Sequence, residues 1–298
     1  MPTPATGDPF LAIECLIIGQ NLVIFPRSTK RDAPLLVLAP KHFEPPLVMT
    51  KYPRAILCAL LFGVGLVMPV FGQIVLIQTR YVAEEDVEEF IHRETTYWAE
   101  VANRAIIERR LVRWELWQIA TGMDIDEGPN FFFINEYRRP TDVDLSEEIW
   151  DYTRVFPDVK ESDIETQSLS KIVDRVYLYS QVHLIKTQPK ILRVNYARAS
   201  DLGRYLELEN TIWHEFVKER MESNQTNVVS WDLMRVMSPA GEDRPYNALT
   251  IDGFDKLSDA LQTSYGENPN YPDLDQFREV HVKGATKIYT LVKAVRLP

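Results

Sequence analysis

Two glutamates, Glu94 and Glu209, have the positions in this sequence that most favour chemistry. Each falls within the apolar stripe of a predicted helix, four residues before a tryptophan, where a purely structural helix would carry leucine or alanine. A carboxyl group buried there must be protonated or hydrogen-bonded, because an unpaired charge in apolar surroundings is costly. One interpretation is a general acid or base, or a group that orients a ligand. The other is a structural carboxylate that bonds an indole N–H or an arginine such as Arg80 or Arg193.

Ring-bearing side chains accompany both glutamates and are candidates for the walls of a pocket between helix and sheet. Such a pocket would take a small hydrophobic or aromatic ligand. The alternative is that the tryptophans, at helical and strand spacing, simply fill the core. The candidates are Tyr81, His92, Trp98, Trp114 and Trp117 near Glu94, and Tyr196, Trp213 and Trp231 near Glu209.

The histidines and cysteines predict neither a metal site nor a cofactor. Both cysteines, Cys15 and Cys58, precede residue 73, so the remaining chain has no thiolate ligand or nucleophile. We find no His-x-x-x-His cluster, no nucleotide-binding glycine loop and no activated-serine motif. We therefore expect solvated surface histidines at the four positions that follow residue 73, which are His92, His183, His214 and His281.

The chain from residue 73 onward repeats itself. Tyr81 and Trp98 match Tyr196 and Trp213 at an offset of 115, and Glu94 matches Glu209 at the same offset. After a two-residue insertion the offset becomes 117. The residues then in register are Trp114 with Trp231, Glu115 with Asp232, Trp117 with Met234 and Asn130 with Asn247. We interpret the repeated acids of the second pair as part of an exposed strand face.

Each copy predicts the same order of elements, a βαββαβ unit. The first strands are Leu76–Tyr81 and Ile191–Tyr196, each followed by a long amphipathic helix, in the first copy from about Glu84 to Arg110. Two strands come next in each copy, the second of them Phe131–Tyr137 and Ala248–Phe254. An acidic helical stretch and a last strand follow, the last strand near residues 175–179 and 287–291. The fold class is therefore α+β, with two ferredoxin-like units that bury their remaining sheet faces against each other. These units are predicted to span 73–187 and 188–298.

The motifs of the two copies resemble those of the dimeric α+β barrel superfamily. They are a strand that ends in Tyr, a helix with Glu-x-x-x-Trp, and a strand with Trp114-Glu-Leu-Trp117. The similarity covers roughly residues 74 to 298 and extends to NIPSNAP-like proteins and cofactor-free antibiotic-biosynthesis monooxygenases. It implies an intramolecular pseudo-dimer. It also implies, as one alternative, an enzyme that oxygenates a small aromatic or hydrophobic substrate. Haem-binding members use a histidine, and no histidine is repeated here.

The N-terminal quarter predicts export. A short basic segment, Met49 to Arg54, is followed by an apolar run that ends near Gly72, the pattern of a signal peptide. A membrane anchor is the alternative, but Pro69 and Gln73 interrupt the run. We therefore predict a non-native or disordered extension over 1–48, a signal peptide over 49–72, no stable membrane span after cleavage, and a secreted or periplasmic protein.

The charge of the chain excludes one class of partner. With 33 Lys and Arg against 43 Asp and Glu, the formal net charge is −10, which leaves no general basic surface for nucleic acid. Three hypotheses remain for the function. The chain is a small-molecule-binding or structural protein, a cofactor-free monooxygenase-like enzyme that uses Glu94 or Glu209, or an assembly protein that associates further through sheet edges.

Overall fold

The computed structural model describes residues 16–18, 21–23, 73–120, 128–262, 265 and 270–296. The predicted signal peptide, 49–72, lies outside these residues, and so does most of the predicted extension. Within 1–48, strands β1 (Leu16–Ile18) and β2 (Asn21–Val23) form an antiparallel pair. No helix in the described ranges is both long enough and apolar enough to cross a bilayer.

Eight strands close into one antiparallel barrel. Their order around the barrel is β10-β4-β5-β3-β6-β8-β9-β7, with β7 paired back to β10. The strands are β3 (Ile74–Val82), β4 (Leu111–Ile119), β5 (Phe131–Tyr137), β6 (Ser170–Ile185), β7 (Ile191–Ala199), β8 (Val228–Ser238), β9 (Ala248–Phe254) and β10 (His281–Arg296).

Helices cover the outer face of the barrel. Along residues 84–107 a 3₁₀ turn (Glu84–Asp86) leads into α1 (Val87–Arg93), a π-helical turn (Glu94–Trp98) and α2 (Ala99–Ile107). The short helices α3 (Ser146–Ile149) and α4 (Glu161–Ile164) follow. The remaining helical segments are α5 (Leu202–Leu208), a second π-helical turn (Glu209–Trp213), α6 (His214–Glu222), α7 (Leu257–Gln262) and α8 (Asp275–Val280).

The two longest strands join the halves of the barrel. β6 pairs with β3 through residues 170–179 and with β8 through residues 177–185. β10 pairs in the same way with β7 and then with β4. The sequence predicts these two strands only near residues 175–179 and 287–291. In the structure β6 and β10 are each 16 residues long, because each continues past its own sheet to pair with the other half.

Side chains of all eight strands fill the inside of the barrel. The core there includes Val75, Trp117, Phe132, Met234 and Tyr289, all buried. Because successive side chains on a strand point to opposite faces, the alternate residues pack against the helices outside. The barrel therefore separates an inner core from an outer layer between sheet and helices.

The inside of the barrel also contains a charge network, which contradicts one expectation. Glu115 and Asp232 are only 1% and 2% exposed, so the interpretation of an exposed strand face is wrong. In a closed barrel one strand face is covered by helices and the other by the opposite strands, so alternation does not mark a solvent side. The interior charge network consists of Arg113, Glu115, Glu136, His183, Asp232 and Arg296.

Candidate functional site

A cavity of about 310 Å³ lies between the outer sheet face of β3–β6 and the helical segments of residues 84–167. Glu94 lines it and is 3% exposed. Its aromatic walls are Trp98, Trp114, Phe133, Trp150, Tyr152 and Tyr177, and its polar walls include Gln78, Arg80, Asn135, Thr166 and Arg175. A cavity that combines aromatic walls with convergent polar groups is typical of a small-molecule site.

A π-helical turn positions Glu94. The N–H of Ala99 bonds to the carbonyl oxygen of Glu94, five residues back, instead of four as in an α-helix. Such single π turns are rare and are frequent at functional sites. The turn begins at Glu94 and ends at Trp98, so the two side chains that line the cavity from this helix lie at its two ends. Glu209 and Trp213 bound the second π turn in the same way.

Burial controls the protonation of Glu94. The loss of water around the carboxyl group raises its pKa to about 7. Two contacts act in the opposite direction: the Arg80 guanidinium, whose Nη1 is 3.7 Å from Oε1, and the Thr166 hydroxyl, which donates to Oε1 at 2.8 Å. A pKa in this range suits general acid–base chemistry near neutral pH.

Arg80 is held beside Glu94 mainly by uncharged groups. Its Nη1 donates to the hydroxyls of Thr166 at 3.1 Å and Ser170 at 3.2 Å, and its guanidinium lies 5.1 Å from the centre of the Phe133 ring. With its amide oxygen toward Arg80, Gln78 accepts a hydrogen bond from Nε at 2.9 Å. Burial lowers the pKa of Arg80, Glu94 raises it, and the nearby Arg175 lowers it.

The cavity is roofed by residues 146–167, here called the cover segment. Side chains of the helix hold it by its backbone carbonyl oxygens. Trp98 Nε1 donates to Ile164 at 3.0 Å, and Arg93 donates to Ser162 at 2.9 Å. Arg104 donates to the carbonyl oxygens of Glu148, Ile149 and Asp151. Trp98 therefore both lines the cavity and anchors its roof.

In the part of the second half that the structure describes, side chains occupy the matching region. Glu209 is 7% exposed, and burial raises its pKa to about 7 although Tyr205 hydrogen-bonds to it. Where the first half is hollow, the ring of Tyr265 packs 5.5 Å from that of Trp213 and is 5% exposed. Trp231 is fully buried beneath His214. The two glutamates therefore share a helix position and a raised pKa but not a cavity.

The other candidate residues lie away from the cavity. Tyr81 and His92 do not line it, and His92 is exposed. Trp117 is in the inner core, where its Nε1 donates to Glu115 at 3.1 Å. Tyr196 also packs against that core, with its hydroxyl 3.4 Å from that of Tyr289. Of the residues predicted near Glu94, Trp98 and Trp114 line the cavity with it. Tyr81, which was expected to form a wall, does not line the cavity.

The residues of the cavity do not support a haem or metal site with a histidine ligand. None of the described lining residues is a histidine, so the donors present do not fit an iron ligated by that side chain. Within the part of the chain that the structure describes, no three His, Cys, Asp or Glu side chains are grouped to hold a metal ion. His183 is half-buried, not fully solvated as expected, because its Nδ1 lies 2.6 Å from the Asp232 carboxylate. The side chain of His281 is not among the side chains that the structure describes.

Sequence reasoning missed most of the polar lining. Arg175 and Tyr177 line the cavity, whereas Val176 and Leu178 between and beyond them point into the barrel. This alternation along β6 is a signal that could have identified Arg175. Thr166 and Trp150 belong to the cover segment, for which the two copies show no residue-by-residue register that could predict them.

Comparisons with known proteins identify the fold. No family model and no curated protein matches the chain. Among solved structures, a "putative monooxygenase" from Lactobacillus acidophilus NCFM has a TM-score of 0.51 at 14% identity, over 76% of this chain and 96% of that one. Another from Fusobacterium nucleatum has a TM-score of 0.48 at 11% identity, over 76% of this chain and 95% of that one. An anthrone oxidase-like protein has a TM-score of 0.45 at 10% identity, over 76% and 93%. The similarity to the Lactobacillus protein, with its TM-score above 0.5, shows a shared fold.

Proposed function

We propose that the protein binds a small aromatic molecule in the cavity beside Glu94 and exchanges a proton or a hydrogen bond with it there. The observation that carries this proposal is a buried carboxyl group with a pKa of about 7 in a cavity of about 310 Å³ walled by tryptophans. A filled core around the glutamate would instead favour a purely structural role, and Tyr265 packs beside Trp213 in the second half in that way. Glu209 is therefore the internal control for Glu94.

A phenol tests the role of Glu94. We expect 2-naphthol to bind more tightly as the pH rises through about 7, because the ionised carboxylate accepts the phenolic O–H in a charge-assisted hydrogen bond. Such a bond contributes about 1.5–3 kcal/mol, which corresponds to roughly tenfold or more in Kd. The Kd of 2-naphthol is measured by quenching of tryptophan fluorescence at pH 5.5, below this pKa, and at pH 8.5, above it.

The matched variants are Glu94→Gln and Glu209→Gln. The first should bind 2-naphthol with the same Kd at both pH values, because an amide does not ionise in this range. The second should keep the pH dependence of the unmodified protein. Equal pH dependence in both variants would assign the titration to another group, and the absence of binding to the unmodified protein would overturn the proposed function.

Oxygenation is the second candidate function. It is favoured by the same base, since Glu94 at neutral pH could take a proton from an activated aromatic CH₂ or O–H group. With dioxygen as the oxidant, a ring-flanked CH₂ becomes C=O, one oxygen atom enters the product and the other leaves as water. Oxygen uptake with anthrone distinguishes this function from binding alone. Uptake by the unmodified protein that is lost in Glu94→Gln but kept in Glu209→Gln would support it.

The barrel is best explained as two fused ferredoxin-like units, 73–187 and 188–298, that form an intramolecular pseudo-dimer. Strand orders β6-β3-β5-β4 and β10-β7-β9-β8 are the same in the two halves. The side chain of Asn130 bonds both the N–H and the C=O of Val82, and Asn247 does the same with Ala199. The paired π turns add a third correspondence. A shared origin of the halves explains why one could specialise and the other fill its cavity.

Export is a further part of the proposal and rests on the sequence of residues 49–72. We expect the protein isolated from its native source to begin close to Gln73, because signal peptidase removes the apolar segment together with everything before it. N-terminal sequencing of that protein checks this. A mature chain that begins upstream of Met49 would contradict both the signal peptide and the view of residues 1–48 as a non-native extension.

A further inference from the structure

The cavity differs from the matching part of the second half in the charged groups that pair with its arginines. In the second half, Arg193 pairs with Asp252 at 2.9 Å. The register of the repeat places Asn135 where the second half has Asp252, and Asn135 lines the cavity. The first half thus has a neutral amide at the position where the second half has a buried carboxylate.

Two guanidinium groups line the cavity opposite this amide. Arg80, whose side chain is 15% exposed, has Glu94 as its ion-pair partner within the described chain, at 3.7 Å. Arg175 also lines the cavity and is exposed, and no carboxylate of a described residue lies within ion-pair distance of it. Two more acids, Glu161 and Glu165, line the cavity from the cover segment, and Glu165 bonds Ser168 and lies 3.9 Å from Arg93. Of these three acids, Glu94 alone lies within ion-pair distance of a cavity arginine among the described residues.

The aromatic walls and the unpaired cation together indicate the class of ligand. Trp98, Trp114 and Phe133 offer flat apolar surface, and a guanidinium binds a carboxylate through two parallel hydrogen bonds. Resting on the proposed small-molecule function, we propose that the cavity binds an aromatic carboxylate, with its ring against the tryptophan walls and its carboxylate at Arg175. Gln78 and Asn135 beside it can donate further hydrogen bonds from their amide groups.

The experiment compares two probes with the same ring system, 2-naphthoate and the uncharged 2-naphthalenemethanol, at pH 6. We expect the full-length protein to bind the naphthoate at least tenfold more tightly, about 1.4 kcal/mol, measured by tryptophan fluorescence quenching and calorimetry. In Arg175→Gln this preference should disappear through weaker binding of the naphthoate, while the Kd of the alcohol stays unchanged. Lys287→Gln is the control for the loss of one positive charge, because Lys287 lies on β10 and does not line the cavity, and it should keep the preference.

The outcomes separate the two proposals. The aromatic-acid assignment would be overturned if the unmodified protein bound both probes with equal affinity, or if Arg175→Gln weakened the binding of both probes equally. Either result would leave the proposed small-molecule function standing. If neither probe binds, both proposals fail. A preference that disappears in Lys287→Gln as well would show a general effect of positive charge and would likewise overturn the role of Arg175.

Discussion

Replacing Arg113 by methionine is expected to lower the free energy of unfolding by about 3–5 kcal/mol, because it leaves two buried carboxylates without their cation. Arg113 Nε lies 2.5 Å from Glu136 and Nη2 lies 3.2 Å from Asp232, and all three side chains are at most 4% exposed. Burial alone would lower the pKa of Arg113, but the surrounding carboxylates raise it above its usual value. Urea unfolding at pH 7 measures the loss.

Two further variants show whether the burial of the ion pair is the cause. Arg278→Met removes an arginine that is 82% exposed and paired with Asp275, and it should change stability by less than about 1 kcal/mol. Adding Glu136→Gln to Arg113→Met should recover part of the loss, because a buried amide is less costly than a buried unpaired charge. If Arg113→Met were as mild as Arg278→Met, the interior charge network would not hold the barrel together.

The stability of the protein is expected to fall as the pH rises from 5 to 8. Burial raises the pKa of both Glu94 and Glu209 from 4.5 to about 7. The folded state therefore keeps protons that the unfolded state has already lost. The resulting stability is fully present below the unfolded pKa and is lost as the pH passes the folded pKa, by about 3 kcal/mol for each group. Urea unfolding at several pH values between 5 and 8 measures this change.

Glutamine at both positions isolates the cause. The double variant Glu94→Gln, Glu209→Gln should show a much flatter dependence of the unfolding free energy on pH in this range, and each single variant should remove about half of the slope. The unfolding free energy of the double variant, relative to that of the unmodified protein, should therefore be more favourable at pH 8 than at pH 5. An unchanged slope in the double variant would mean that the two carboxyl groups are not protonated in the folded state at neutral pH.

The positions of the two glutamates could be predicted from sequence, because an acid within an apolar helical stripe has few alternatives to burial. Strands β5 and β9 were predicted to the residue, and the long helix to within a few residues. The π turns could not be predicted, since the hydrophobic spacing of an α-helix tolerates one widened turn without a visible break. The predicted α+β class agrees with the structure, in which helices surround a closed antiparallel barrel of eight strands.

The faces of the strands were harder to predict. Alternation along β4 and β8 correctly separates two faces, yet it cannot tell whether the second face meets solvent or the opposite wall of a barrel. This is why Glu115 and Asp232 were assigned to the wrong environment. The cavity itself depends on the cover segment, whose Thr166 and Trp150 reach Glu94 and Trp98 from far along the chain. Such contacts leave no local pattern.

The strands β6 and β10 make the two halves one cooperative unit. Since each strand supplies hydrogen bonds to both halves, neither half can open without unpairing a strand that the other half uses. Amide hydrogens of the second half are therefore expected to exchange more slowly when a ligand occupies the cavity of the first. The halves would then share a single unfolding transition, so that a ligand bound on one side protects the whole barrel against proteolysis.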